Sequence, residues 1–137
     1  MSPDDLRNRF RELHEGSDLF VMPNPWDVGS ARILESQGFP ALATTSSGFA
    51  WSVGLLDGQV DLETLVDHVA AITAAVEVPV NVDAERCFAE TPADVAATVD
   101  ALAEAGAAGF SIEDWDPATS SIDPFDVSLA RVEAAVA

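Results

Sequence analysis

The stretch "VPVNVDAERCF", residues 78–88, indicates the class of fold and places two acidic residues at the end of an apolar run. The apolar run 78–82 indicates a buried strand, and it ends in Asp83-Ala84-Glu85. Side chains two residues apart along a strand point to the same side, so Asp83 and Glu85 are predicted to face the same way. Two like charges at the end of a hydrophobic strand cost free energy unless a cation, a shared proton or water relieves their repulsion.

Outward from this strand, strand-like runs alternate with stretches of helical periodicity. The predicted strands are 19–22, 41–45, 79–83 and 107–114. The predicted helices are 3–14, 28–37, 62–75, 91–106 and the tail from about 124. One helix followed by four strand–helix units implies a parallel sheet with right-handed crossovers. No linker or low-complexity stretch divides residues 1–137, so we expect a single domain without an internal boundary.

Helix ends carry their own signals, which sharpen these assignments. Four polar residues stand where N-caps are expected: Ser2, Asp27, Asp61 and Thr91. Proline occupies the first helical position after Ser2 and after Thr91. Asp94 completes a capping box with Thr91, and Gly38 and Gly106 stand where helices end. The segment 46–58, "SSGFAWSVGLLDG", rich in Ser and Gly, is predicted to be a long loop.

Composition excludes several classes of function. The chain has 24 acidic and 6 basic residues and a net charge of −18, which is typical of a solvated, self-repelling surface. This charge argues against binding to nucleic acid or to an anionic membrane, because both need Lys/Arg patches. The single cysteine, Cys87, excludes an internal disulfide. With no signal-peptide pattern and no apolar run of about 20 residues, we expect a soluble cytoplasmic protein.

Chemistry in parallel βα folds collects at the C-terminal ends of the strands. Four such ends occur here: "MPNPWD", "TTSSGFAW", "VDAERCF" and "SIEDWD". Neighbouring parallel strands lie about 4.8 Å apart, so Asp83, Glu85 and Glu113 can surround one point above the sheet. Three carboxylates around one point suit a hard cation such as Mg²⁺, held partly through water. The alternative is that these acids are solvated strand-end residues or helix caps.

The other strand-end loops hold candidates for ligand contacts. A Ser-Gly turn at 45–49 would expose successive backbone N–H groups able to hold a carboxylate or phosphate, and its alternative is an ordinary loop. Asp57 is a lone loop acid, a residue that normally forms turns. The three tryptophans, Trp26, Trp51 and Trp115, all fall in these loops and either wall a pocket or pack in the core.

Taken in order, these loop sequences resemble the isocitrate lyase/phosphoenolpyruvate mutase superfamily from about residue 10 onward. The stretch "MPNPWDVGSARILESQGFPALATTSSGFAWSVGLLDG" is similar to the opening of that family, "VNVDAE" to its metal strand and "AGAAGFSIED" to the strand that follows. The resemblance implies a (β/α)₈ TIM barrel, of which this chain supplies about the first four βα units after an N-terminal helix. It also implies Mg²⁺, with Mn²⁺ as a substitute, and a small 2-oxo or 2-hydroxy carboxylic acid as substrate.

The same resemblance assigns roles to individual residues. Asp83, Glu85 and Glu113 match the acids of the Mg²⁺ site, acting directly or through water, and Asp57 matches an acid near both metal and substrate, taken as catalytic. Ser47, Gly48 and Phe49 match the family segment whose backbone and hydroxyl groups hold the substrate carboxylate. Trp26 is expected to contact the substrate as one wall of the pocket. The implied chemistry is the cleavage or formation of C–C or P–C bonds through an enolate stabilised by the metal.

Three departures from the family pattern limit what the resemblance implies. The family lyases that cleave isocitrate or methylisocitrate carry a Lys-Lys-Cys-Gly-His loop, but residues 113–125 read "EDWDPATSSIDPF". Neither of those two activities is therefore expected. The usual Gly-Tyr-Gly after the metal strand is replaced by Arg86-Cys87-Phe88, which leaves the substrate open. Finally, the fifth strand with its substrate-binding Arg is not found, because "LARVEAAVA" at 129–137 fits the fourth helix better.

Three functional classes follow. The first is a Mg²⁺-dependent lyase or mutase that is truncated here and active only once its barrel is completed by a homo-oligomer or a second half-barrel chain. The second is a non-catalytic fragment that works only by association, because a half-barrel exposes unpaired strand edges. The third is an unrelated α/β binding domain such as a phosphate-acceptor domain, which is disfavoured because the chain contains no lysine.

Overall fold

A computed structural model describes all residues from 1 to 137. The helices are α1 Pro3–Glu15, α2 Val28–Ser36, α3 Ser46–Ser52, α4 Leu62–Thr73, α5 Val95–Glu104 and α6 Phe125–Val136, with a 3₁₀ turn at Pro92–Asp94. The strands are β1 Leu42–Ala43, β2 Val80–Asp83, β3 Gly109–Ser111, β4 Trp115–Asp116 and β5 Ser121–Ile122. No helix is both long and apolar enough to cross a membrane.

A three-stranded parallel sheet forms the centre, in the order β1-β2-β3. The strand predicted within 78–88 is confirmed as β2, the middle strand, whose register pairs Asn81 with Gly109 and Asp83 with Ser111. Val80 and Val82 on one face of β2 are buried, whereas Asn81 and Asp83 on the other are half-buried. This alternation directs the apolar side chains towards the helices and Asp83 towards the opposite face.

Two groups of buried side chains attach the helices to the sheet. Around β2 and the helices on either side of it, the core consists chiefly of Leu65, Val69, Val82, Val95 and Leu102. A smaller core under β1 joins α2 and α4 through Ala31, Leu42, Ile72, Val76, Val78 and Val80. Burial of these side chains supplies the main stabilisation, because each large aliphatic group contributes about 1.5–3 kcal/mol.

The N-terminal helix closes the end of the sheet that is opposite the strand-end acids. The Phe10 ring packs on Gly109 at the start of β3, where any Cβ would collide with it. Arg7 donates through Nη2 to the Ala103 carbonyl at 2.8 Å and through Nε to the Ala107 carbonyl at 3.4 Å. α1 is therefore tied to the connection between α5 and β3.

The predicted caps at Ser2, Asp27 and Asp61 are confirmed, whereas Thr91 precedes a 3₁₀ turn and its side chain makes no cap bond to the backbone. The side chains of Ser2, Asp27 and Asp61 accept hydrogen bonds from backbone N–H groups three residues later. The Asp94 carboxylate accepts from the backbone N–H and hydroxyl of Thr91, at 3.2 and 2.6 Å. These local bonds explain why helix starts could be predicted from the sequence.

Three parts of the predicted organisation are wrong. The segment 19–22 is not a strand: Leu19 is 95% exposed, and contact with β1 begins only where Ala43 N–H donates to the Pro23 carbonyl. The predicted loop after β1 contains α3, because Thr45 caps it by accepting from Gly48 N–H at 3.3 Å. The fourth strand ends at Ser111, short of the predicted 114, and an antiparallel hairpin of β4 and β5 follows.

Replacement of Gly109 by Ala is expected to destabilise the protein by about 1–3 kcal/mol, because the new methyl overlaps the Phe10 ring. Gly29→Ala is the control, since a Cβ there meets nothing closer than 3.5 Å. Thermal unfolding measures both variants. The packing account fails if Gly109→Ala is as stable as Gly29→Ala, or if adding Phe10→Leu does not recover part of the loss.

Candidate functional site

Backbone geometry brings the predicted acids together at the C-terminal edge of the sheet. Asp83 is the last residue of β2 and pairs with Ser111, the last residue of β3. Glu85 and Glu113 each lie two residues further on, and Glu113 N–H donates to the Glu85 carbonyl at 2.7 Å. The pairing of neighbouring strands therefore continues past the sheet and sets the two glutamates side by side.

Asp83 is fixed in place by three hydrogen bonds. Its N–H donates to the Thr44 hydroxyl oxygen at 2.9 Å. Its carboxylate accepts from Ser46 N–H at 2.9 Å and from Glu85 N–H at 3.3 Å. Because Thr44 and Ser46 flank the junction between β1 and α3, Asp83 is the point at which the ends of β1 and β2 are joined.

The acids repel one another across a shared space. Burial, followed by the charges of Asp57, Asp83 and Glu113, raises the pKa of Glu85 to about 7. Burial, followed by the charges of Asp83, Asp57 and Asp114, also raises the pKa of Glu113. Glu85 additionally adopts a left-handed backbone conformation with φ of 47°. The arrangement therefore holds unfavourable charge and strain at the same place.

A pocket of about 140 Å³ lies between these groups. Its lining is mostly polar and consists of Ser46, Asp57, Gly58, Glu85, Arg86, Glu113, Trp115 and Pro117. The structure thus brings Asp57, Glu85 and Glu113 to one cavity, with Asp83 hydrogen-bonded to the N–H of Ser46 in its wall. The carboxylates predicted for metal and catalysis share one site.

The donor set fits a cation that keeps part of its water shell. No three His, Cys, Asp or Glu side chains converge closely enough to hold a metal ion directly. Mg²⁺ commonly keeps several waters and takes only one or two carboxylates directly. The convergence of acids on one partly buried place, where burial and then neighbouring charges raise the pKa of Glu85, favours such a cation, because a divalent charge would turn their repulsion into attraction.

The predicted substrate-binding residues are placed differently. Ser47, Gly48 and Phe49 lie in α3, where Gly48 N–H is occupied by Thr45. Phe49 is buried and stacks on the His68 ring with 3.6 Å between centroids. Trp26 is half-exposed and lines a separate groove beside α2. The structure therefore does not bring Phe49 or Trp26 into the acidic pocket.

Five residues of the pocket wall were given no site role from the sequence, namely Ser46, Gly58, Arg86, Trp115 and Pro117. Ser46 lies within the predicted turn 45–49, one position before the predicted contact residue Ser47. Trp115 was one of three candidate wall residues, and β4 brings this one to the pocket. Arg86 was noted only as a departure from a family motif. The sequence feature that could have singled out Arg86 is its charge, since Arg86 and Arg131 are the only Lys or Arg residues after position 32.

Comparison with known proteins identifies the family. The model of the phosphoenolpyruvate phosphomutase family matches residues 10–137. A crystal structure of a lyase/mutase from Burkholderia cenocepacia superposes with a TM-score of 0.93 at 44% identity, over 98% of this chain and 49% of that one. An oxaloacetate decarboxylase of Paraburkholderia xenovorans is 35% identical over all of this chain, and a 2-methylisocitrate lyase of Aeropyrum pernix is 38% identical over 76% of it.

These matches define a class of lyases and mutases built on a (β/α) barrel. The chain belongs to the phosphoenolpyruvate phosphomutase family, within the isocitrate lyase/phosphoenolpyruvate mutase superfamily. It spans 48% of the decarboxylase and 34% of the 2-methylisocitrate lyase. The prediction of a TIM-barrel fold supplied in part by this chain is thereby confirmed.

The stacked pair of His68 and Phe49 behind α3 makes stability depend on pH. Burial, only partly offset by Asp27, lowers the pKa of His68 from 6.5 to about 4, and His68 Nε2 has no hydrogen-bond partner. The unfolded chain therefore binds more protons than the folded chain between pH 6.5 and 4, so this contribution to stability is lost as the pH falls through that window.

His68→Phe keeps the stacking and removes the titration. We expect it to flatten the pH dependence of stability between 6.5 and 4 by on the order of 1 kcal/mol, after allowance for partial exposure. Chemical denaturation at several pH values measures the slope, with His14→Phe on the exposed face of α1 as control. An unchanged slope in His68→Phe would show that His68 titrates normally.

Proposed function

We propose that this protein is a Mg²⁺-dependent lyase or mutase that acts on a C–C or P–C bond of a small 2-oxo or 2-hydroxy carboxylic acid through an enolate. Membership of the family supports the reaction class. The observation that carries the proposal is the convergence of carboxylates on one pocket at the ends of β2 and β3. An acidic pocket of this kind admits an anionic substrate only if a cation is present to reverse its field.

Asp83, Glu85 and Glu113 are the residues that would hold Mg²⁺, directly or through water, and the metal would stabilise negative charge on the enolate oxygens. Asp83 enters this site already oriented, because Thr44, Ser46 and Glu85 fix its backbone and both carboxylate oxygens. A preorganised ligand loses little entropy when the ion arrives.

Asp57 faces the same pocket from the loop after α3, and we assign it the proton-handling role. Trp115 and Pro117 line the same pocket, and we assign them the role of limiting the access of water to the reacting atoms. For the substrate carboxylate we propose the hydroxyl and backbone N–H of Ser47 at the start of α3, while the Gly48 N–H stays bonded to Thr45. Phe49 supports that turn from the core, and contact with Trp26 stays a prediction.

The relatives narrow the substrate class without selecting a substrate. One similar protein is an oxaloacetate decarboxylase and another a 2-methylisocitrate lyase. Oxaloacetate and 2-methylisocitrate are both small carboxylic acids, as the proposed site requires. Residues 113–123 carry neither Cys, Lys nor His, so the acid-donating loop of the isocitrate and methylisocitrate lyases has no counterpart here.

Added MgCl₂ is expected to raise the melting temperature of the wild type, and Asp83→Asn is expected to abolish the gain. A ligand that binds only the folded state stabilises it by about 2.7 kcal/mol at a hundredfold excess over Kd. Asn keeps the volume of Asp and removes one charge. The titration is run at constant ionic strength, with Asp67→Asn on the exposed face of α4 as a control of equal charge. Equal melting shifts in wild type and Asp83→Asn would refute the metal site.

A second candidate function is association without catalysis. It is favoured by an apolar stripe on α6, whose four exposed members are spaced three or four residues apart: Phe125, Leu129, Val132 and Val136. Such a stripe normally packs against another element. β3 also forms an open edge of the sheet, whereas the outer edge of β1 is bonded at Ala43 by Pro23 and Asn24.

Light scattering coupled to size exclusion tests this association. We expect a mass above the 14.4 kDa of one chain. Phe125→Ser with Val136→Ser should return the protein towards a monomer, because it removes the ends of the stripe. A wild type that is monomeric and unfolds cooperatively would contradict the association.

A further inference from the structure

Arg86 and Arg131, the two arginines after position 32, both contact one carboxylate, that of Asp123. Arg86 follows β2 and lines the acidic pocket, whereas Arg131 lies on α6. Arg86 donates to both oxygens of Asp123, from Nε and Nη2, each at 2.8 Å. Arg131 Nε lies 3.6 Å from the same carboxylate. In a chain of net charge −18, both of these cations are therefore committed to a single place.

Arg131 also holds the backbone of the loop that carries Glu85. Its Nη1 donates to the Arg86 carbonyl at 3.2 Å, and its Nη2 donates to the carbonyls of Ala89 and Glu90 at 2.9 and 3.0 Å. Its side chain is only 1% exposed. One guanidinium from α6 thus binds the loop at three points.

The three bound carbonyls bracket a strained piece of backbone. Cys87 and Phe88 have φ values of 59° and 49°, and Glu85 has 47°. Such conformations cost non-glycine residues on the order of 1–3 kcal/mol each and persist only where surrounding contacts impose them. Local bonds do not suffice, because inside this loop only Cys87 N–H closes a turn, onto the Ala84 carbonyl. Glu85 is also bonded to Glu113 and Asp83, whereas over 86–90 the other hydrogen bonds come from Arg131 and Asp123.

Burial of these groups is costly unless they are paired. Asp123 is 9% exposed, and Arg131 is among the largest fully buried side chains. A buried arginine contributes little net stability compared with an apolar group of similar size. Its value lies in the geometry it imposes, since the planar guanidinium donates along fixed directions. The free-energy cost of burying these charged groups therefore arises beside the loop that forms one side of the pocket.

We propose that Arg131 and Asp123 are positioning residues, which hold the loop 85–90 so that Glu85 and Arg86 face the acidic pocket. This inference rests on the proposed metal site and deepens it, because it makes the affinity for the cation depend on α6. Arg131 and Asp123 do not line the cavity that holds Asp57, Glu85 and Glu113. They act through the loop.

The test compares Arg131→Met, Arg131→Lys and Asp123→Asn with the wild type, using Mn²⁺ alone as the probe. Free Mn²⁺ is measured by electron paramagnetic resonance, and amide hydrogen exchange is followed over residues 84–90 and over α4. We expect Arg131→Met to weaken Mn²⁺ binding about tenfold or more and to speed exchange in 84–90 without changing α4. Arg131→Lys and Asp123→Asn should fall between this variant and the wild type.

Arg7→Met is the matched control. Arg7 also donates to two backbone carbonyls and pairs with an aspartate, Asp4, but it lies on α1 at the other end of the sheet. It is expected to lower the melting temperature and to leave the Mn²⁺ affinity unchanged. A purely structural role for Arg131 would make the two variants behave alike.

Each outcome decides the proposal. Wild-type Mn²⁺ affinity in Arg131→Met overturns it, as does faster exchange spread evenly over the chain. If Arg131→Met does not fold, Asp123→Asn and Arg131→Lys decide by the same two measurements. If the wild type binds no Mn²⁺, the proposed metal site fails by itself, and exchange over 84–90 in the variants still decides whether α6 holds the loop.

Discussion

Mutual repulsion among carboxylates at the end of β2 is the constraint on which the site depends. Asp83 is ionisable, half-buried and tied to two neighbouring segments, so it cannot turn away from Glu85. Burial, followed by the charges of Asp57, Asp83 and Glu113, raises the pKa of Glu85 to about 7. An arrangement that costs free energy without a ligand is typical of a functional site, because selection for stability alone would remove it. A divalent cation is the simplest group that converts this cost into binding energy.

The fold supports the site from three directions. Thr44, which follows β1, and Ser46 at the start of α3 bond to Asp83, β3 continues into Glu113, and α6 reaches back through Arg131 to the loop after β2. Consecutive βα units are therefore coupled at the strand ends. The outer edge of β3 and the exposed apolar side chains of α6 stay uncovered, and these are the surfaces on which association is proposed.

Local and short-range signals predicted most of the fold. The caps at Ser2 and Asp61 need only neighbouring residues, and the apolar alternation of β2 shows its buried face directly. The prediction of a strand at 19–22 was wrong because a strand needs a hydrogen-bonded neighbour, and only Pro23, which follows this segment, bonds to β1. The acids of the pocket could be predicted, since parallel strands end at one edge. The network of Arg86, Asp123 and Arg131 could not, because its members are up to 45 residues apart and meet only after α6 has packed.

The most direct test of the central claim is anomalous diffraction at the manganese absorption edge from crystals grown with MnCl₂. Bound Mn²⁺ produces a strong anomalous peak whose position does not depend on the interpretation of the carboxylates. We expect one peak in the pocket between Asp83, Glu85 and Glu113, joined to them directly or through water. A fully occupied peak elsewhere, or none in the pocket at millimolar Mn²⁺, would contradict the claim that these acids form a cation site.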